Sequence, residues 1–144
     1  MKFGIKIKNI WHDNQMFKFL ISSSNGVSIF VNEVYVDYGK YDQIICDLDR
    51  FKSKVYGGIY DINFGCFGSE YASGAFSVRL HFQDHGKIYV SLHAQSEFRD
   101  FGIKNVASEA KLYFVTEPSL LDNFIQELKN LKAGQSDQAI LEIC

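Results

Sequence analysis

A single proline, Pro118, and neither a low-complexity stretch nor an internal repeat occur in this chain. Those absences exclude a proline-rich linker and a repeat array, and fit one compact domain over residues 1–144. Cysteine is scarce as well. Cys46, Cys66 and Cys144 show neither C-x-x-C nor histidine-paired spacing, and an odd count cannot close fully within one chain. Reduced thiols are expected, with no metal ligand among them.

Long apolar runs are missing too. The opening MKFGIKIKNIW alternates apolar residues with lysines, whereas a signal peptide needs a continuous apolar run of roughly 7–15 residues. No later segment approaches the ~20 apolar residues of a membrane span, so no membrane partner and a cytoplasmic location are expected. Charge is balanced, with a net of −2. A nucleic-acid binder would usually carry a basic stripe, and none is visible.

Catalytic signatures are absent by motif. Gly65, Gly68 and Gly74 are irregularly spaced and no Gly-Lys-Ser/Thr follows them, which argues against a phosphate loop. Gly68–Glu70 is not the G-x-S-x-G elbow of a serine hydrolase. No H-E-x-x-H, calcium-loop or paired-carboxylate motif occurs. No catalytic residue, metal or cofactor is therefore assigned.

What the chain does have is apolar and aromatic material, 47% and 15% of its residues, enough for a sizeable core. Phe3, Ile5 and Ile7 alternate with polar residues, as do Phe17, Phe19 and Ile21, so each run predicts a half-buried strand. The Ser22–Gly26 stretch SSSNG predicts a tight turn, because Asn-Gly readily adopts positive φ. Val27, Ile29 and Val31 follow, then Val34 and Val36. The change of phase at Asn32-Glu33 predicts a bulge or bend.

Between Tyr38 and Tyr56 the period becomes helical. Tyr41, Ile44, Ile45, Leu48, Phe51 and Val55 line one side, while Asp42, Asp47, Asp49, Lys52 and Lys54 line the other. This predicts a helix over about 39–56, stopped by Gly57-Gly58. A second helix is expected over 118–132, where Pro118 suits the first turn and Leu120, Leu121, Phe124, Ile125, Leu128 and Leu131 form a stripe. Residues 96–107 look irregular, and 135–144 form either an edge strand or a loose tail. The expected fold is α+β: one curved antiparallel sheet of about seven strands with both helices on its apolar face.

The segment Ser77–Ser96, SVRLHFQDHGKIYVSLHAQS, holds three of the chain's four histidines. Its two apolar sets share a face only if paired positions sum to an even number, which a two- or four-residue loop violates; the natural solution is the three-residue loop Asp84-His85-Gly86, with Gln83 opposite Lys87. His81 then opposes Tyr89, Arg79 opposes Ser91, and Ser77 opposes His93. His81 and His93 end up four residues apart along the ladder, roughly 13 Å at ~3.3 Å per residue. One zinc ion cannot bridge that span. The polar set is therefore either a plain solvent face or a recognition surface, to which arginine, tyrosine and histidine bring contact area and polar tips.

The order of elements resembles that of small cytosolic immunity proteins from bacterial polymorphic-toxin and contact-dependent inhibition systems, including the WapI-like group. The helix YDQIICDLDRFKSKV, the glycine–aromatic turn FGSEYASG and the strand–helix YFVTEPSLLDNFIQELKNL carry the likeness. It implies a non-enzymatic protein that neutralises one toxin domain, commonly a nuclease. Such families share no functional residues, so candidates come from this chain's own surface: Glu70, Arg79, His81, Tyr89, His93 and the acidic helix side at Asp42 and Asp49. The alternative is a sheet that stacks single-stranded nucleic acid on exposed tyrosines such as Tyr89 and Tyr113.

Overall fold

The computed structural model describes residues 2–53, 58–68, 73–83 and 86–144. The first three strands, β1 (Phe3–His12), β2 (Met16–Ser24) and β3 (Ile29–Asp37), lead into helix α1 (Tyr38–Phe51). Next come β4 (Ile59–Phe64), β5 (Ala75–Phe82), β6 (Ile88–Gln95), β7 (Arg99–Phe101), β8 (Lys104–Val106) and β9 (Glu109–Thr116). Helix α2 (Pro118–Lys132) and strand β10 (Gln138–Glu142) close the chain.

The class is α+β with antiparallel pairing, but the expected single sheet is two. One has the order β10-β1-β2-β3 and the other β4-β5-β6-β9, each four-stranded, and β7-β8 is a separate ribbon. Alternation tells which way each strand faces but not which strands share a ladder, so the division was invisible in the pattern. The tail is an edge strand: β10 pairs with β1 from Lys8–Gln138 to Phe3–Glu142. Residues 96–107, expected to be irregular, contain the β7-β8 ribbon. No helix among the described residues is long and apolar enough to cross a membrane.

Asp37 starts α1 by accepting a hydrogen bond from the Lys40 amide at 2.8 Å. Tyr41, Ile44, Leu48 and Phe51 are buried along one stripe, and the helix stops at Phe51, earlier than expected. Ser53 Oγ donates to the Arg50 carbonyl there at 2.7 Å. The glycine stop at Gly57 lies outside the described residues. Helix α2 keeps its expected bounds, with Leu121, Phe124, Ile125, Leu128 and Leu131 buried. The inward faces of both sheets and both helices join one apolar core.

The expected bulge at Asn32 is not there. The β2–β3 ladder runs without a break from Met16–Asp37 to Ser24–Ile29. Asn32 points inward with Val34 and Val36, and Ile29 and Val31 point out. A polar residue holds that inward position because its Nδ2 donates to the carbonyls of Ala75, at 3.1 Å, and Gln95, at 3.0 Å. It bonds one sheet to the other, so hydrophobicity alone misplaced the phase. The ladder irregularities lie instead in β1, between Phe3 and Ile5 and between Asn9 and Trp11. The Asn25-Gly26 turn is also wider than expected. Ser24 pairs with Ile29, and the Asn25 carboxamide accepts from the amides of Val27 and Ser28 at 2.9 and 2.8 Å.

Two seams bring the sheets together. At one, Gly74 lies so close to β3 that an added Cβ would stand 2.1 Å from the Glu33 carbonyl oxygen. At the other, Thr116 Oγ1 donates to the Glu142 carbonyl at 2.8 Å and the Cys144 amide to that of Val115 at 3.0 Å. These contacts leave the outer face of the β4-β5-β6-β9 sheet turned to solvent.

Candidate functional site

The central hairpin has the expected register. Ser77 opposes His93, Arg79 opposes Ser91 and His81 opposes Tyr89. The Gln83 amide donates to the Lys87 carbonyl at 2.8 Å, and Gly86 takes φ 72° at the end of the loop. Asp84 and His85 lie outside the described residues. Val78, Leu80, Phe82, Ile88, Val90 and Leu92 are buried, so alternation forces the polar partners outward.

Neighbouring strands extend that face. Asp61 of β4 stands beside Arg79, and Tyr113 of β9 beside Ser91. Arg79 donates from Nε and a terminal nitrogen to the two Asp61 carboxylate oxygens, at 2.8 and 2.9 Å. The paired guanidinium holds the Asp61 carboxyl below its ordinary 3.8. A fork of this kind fixes both side chains in one orientation.

Towards one end, His93 Nε2 and Glu109 Oε1 lie 2.7 Å apart. The Phe67 ring stacks on the same imidazole, with centroids 4.3 Å apart and planes 10° from parallel. Towards the other end, His81 Nδ1 meets Gln83 Nε2 at 2.7 Å. Ile59 and Tyr89 flank His81 on the neighbouring strands and Tyr113 lies beside Ser91, and they stay 52%, 49% and 66% exposed. Two shallow depressions meet over Arg79, Ser91 and Tyr113, one running towards His93 and Lys111 and the other towards Tyr89 and Val115.

The arrangement offers contact area and side chains held in fixed pairs. His81 and His93 are four residues apart on the ladder, about 13 Å, too far for joint proton transfer to one substrate atom. Among the described residues, no three His, Cys, Asp or Glu side chains converge on a point suited to a metal ion. The apolar cavity inside the core measures about 20 Å³, scarcely one water.

A larger open cleft lies by His12, Tyr38 and Lys132. Three of its polar groups are engaged within the chain, whereas the buried Asn9 Oδ1 has no hydrogen-bond partner among the described residues. His12 meets Asn9, Tyr38 donates to the Asp13 carbonyl, and Lys132 donates to Asp42 while covering the Tyr38 ring.

Of the residues expected at a site, Arg79, His81, Tyr89 and His93 share this sheet face. Glu70 lies outside the described residues. Asp42 and Asp49 belong to the helix layer and already have cations. Asp42 receives Lys132 at 3.2 Å, and Asp49 receives Lys129 at 3.1 Å and Lys52 at 3.4 Å. They clamp α1 to α2 instead of extending the face.

Asp61, Glu109 and Phe67 were missed. The alternation of Ile62 and Phe64 could have turned Asp61 outward, but no local signal places Phe67 over His93. A second exposed cluster was missed on the other sheet, where Trp11 packs edge-on to Tyr35 at 6.4 Å and Lys18 covers that ring at 5.2 Å. Ile29 and Val31 continue it, 62% and 48% exposed. No protein-family model matches the sequence, and no curated protein or solved structure matches the chain.

Proposed function

We propose that this chain is an immunity protein: a cytoplasmic, non-enzymatic inhibitor that neutralises one bacterial toxin domain, commonly a nuclease, by stoichiometric binding. The observation that carries it is the outer face of the β4-β5-β6-β9 sheet. Three exposed apolar anchors, Ile59, Tyr89 and Tyr113, sit among polar side chains already paired as Arg79–Asp61 and His93–Glu109. Aromatic anchors ringed by oriented polar groups are what protein interfaces use. Pre-paired side chains lose less entropy on docking. A standard interface needs about 800 Å² from each partner, within reach of a four-stranded face.

Co-expression with the toxin domain encoded directly upstream tests the proposal. Growth protection and a one-to-one complex by light scattering are expected. Neither protection nor complex would overturn it.

Exposed tyrosines on a sheet also favour a second reading, stacking of single-stranded nucleic acid on Tyr89 and Tyr113. The charge on the face weighs against it, since Arg79 is spent on Asp61. Low-salt anisotropy with a single-stranded oligonucleotide separates the two, because nucleic-acid binding must weaken steeply with added salt.

A further inference from the structure

The ribbon is built unlike the rest of the fold. Strands β7 and β8 pair with each other and with no other strand. Every residue from Arg99 to Asn105 is exposed. The ribbon continues the β6–β9 ladder past its last closure, where the Ser96 amide donates to the Ser108 carbonyl at 2.9 Å. Arg99 then pairs with Val106, so Glu97 and Phe98 together face Ala107. Two residues against one is a bulge, and a bulge bends the strand and redirects its continuation. Past that bend the tip projects about 10 Å at ~3.3 Å per residue.

The tip chemistry is costly for an isolated chain. Gly102 takes φ 66° to open a two-residue turn between Phe101 and Lys104. The turn's other residue is Ile103, β-branched and therefore a poor turn former. Ile103 is 106% exposed and Phe101 69%, so neither gains burial within this chain.

Charge is sorted as well. Because Arg99 opposes Val106 and Phe101 opposes Lys104, these four share one ribbon face, while Asp100 and Asn105 share the other. Neither Arg99 nor Lys104 is held by a carboxylate among the described residues. An apolar tip carrying two uncommitted cations on one face complements an apolar pocket rimmed by carboxylates. Two cations are few for a nucleic-acid ligand, whose affinity grows with the number of phosphates neutralised.

We infer that the β7-β8 ribbon is a docking finger: Phe101 and Ile103 enter an acid-rimmed apolar pocket on the protein partner, steered by Arg99 and Lys104. This rests on the protein-binding function proposed above. The finger begins where His93, Glu109 and Phe67 cluster, so it prolongs the proposed sheet face into a second, deeper contact.

Full-length chain titrated with the upstream-encoded toxin domain provides the test. Phe101→Ser with Ile103→Ser should weaken binding about 100-fold, as loss of two interface anchors does. Arg99→Glu with Lys104→Glu should slow association about tenfold at low salt, a difference that fades at high salt. Val27→Ser, at another exposed apolar site, serves as control and should bind like wild type. Melting temperatures should stay unchanged.

Wild-type-like binding by both ribbon variants would overturn the finger while leaving the inhibitor function standing. Absence of wild-type binding would overturn both. A single-stranded oligonucleotide titrated in parallel must not bind through the ribbon; binding abolished by the charge reversal would replace the protein occupant with nucleic acid.

Discussion

The buried phenol of Tyr41 on α1 donates its hydrogen to the Leu128 carbonyl on α2 at 2.7 Å. One hydroxyl thus ties together two helices that are 87 residues apart at this point. Tyr41→Phe keeps the ring and loses the bond, so unfolding free energy should fall by about 1 kcal/mol. Chemical denaturation monitored by circular dichroism checks this. Tyr41→Ala, which also empties the core position, should cost about 3–5 kcal/mol.

Burial of the same phenol sets an alkaline limit. Burial raises the Tyr41 phenol above its ordinary 10.0, so the folded state retains a proton that the unfolded state releases. That stability is complete below pH 10 and declines as pH rises past it. The decline should be shallower in Tyr41→Phe, measured as denaturation midpoints between pH 9 and 11.

At the seam, Gly74→Ala would set a methyl group 2.1 Å from the Glu33 carbonyl oxygen, a backbone atom that cannot rotate away. The sheets must part or the chain must strain, at about 3 kcal/mol or more. Gly86→Ala meets nothing within 4 Å and pays only for its φ of 72°. About 1 kcal/mol is expected there. Equal losses in the two variants would contradict the close approach at Gly74.

On the exposed face, the Asp61 carboxyl should titrate below 3.8 because Arg79 holds its charged form. Its folded-state value is depressed, so its contribution is present above the unfolded value and disappears as pH falls through the folded one. Carbon-detected NMR should show the Asp61 midpoint returning towards 3.8 in Arg79→Gln. An unmoved midpoint would mean that the fork does not persist in solution.

For binding, Tyr89→Ala and Tyr113→Ala should each weaken the complex with the toxin domain by about 30-fold, the scale of an interface anchor. Both rings are largely exposed, so stability should barely change. Trp11→Ala, on the other sheet, should bind as wild type. Reversal of that order would move the interface to the Trp11–Tyr35 face.

Much of the proposed face was legible because a strand buried on one side leaves no choice of parity. Val78, Leu80 and Phe82 had to point inward, and that alone turned Arg79 and His81 outward and excluded an even-length loop before Lys87. Asp42 and Asp49 lie apart from that face, in the helix layer, for the complementary reason. The outward side of a helix is as easy to identify, but whether a neighbour's lysines already occupy its acids depends on how two distant segments pack. Asn32 misled because its partners, the carbonyls of Ala75 and Gln95, belong to another sheet.

The sequence by itself determined the α+β class, the stripe and start of each helix, the pairing of β5 with β6 and the face each hairpin residue takes. All of these follow from local periodicity and the steric demands of short loops. Only the tertiary structure decided that the strands divide into two sheets, that Arg79 finds Asp61 and Phe67 covers His93, and that Phe101 and Ile103 stand clear of the body. Those outcomes depend on contacts between segments far apart in the chain, where the competition for partners leaves no trace in local spacing.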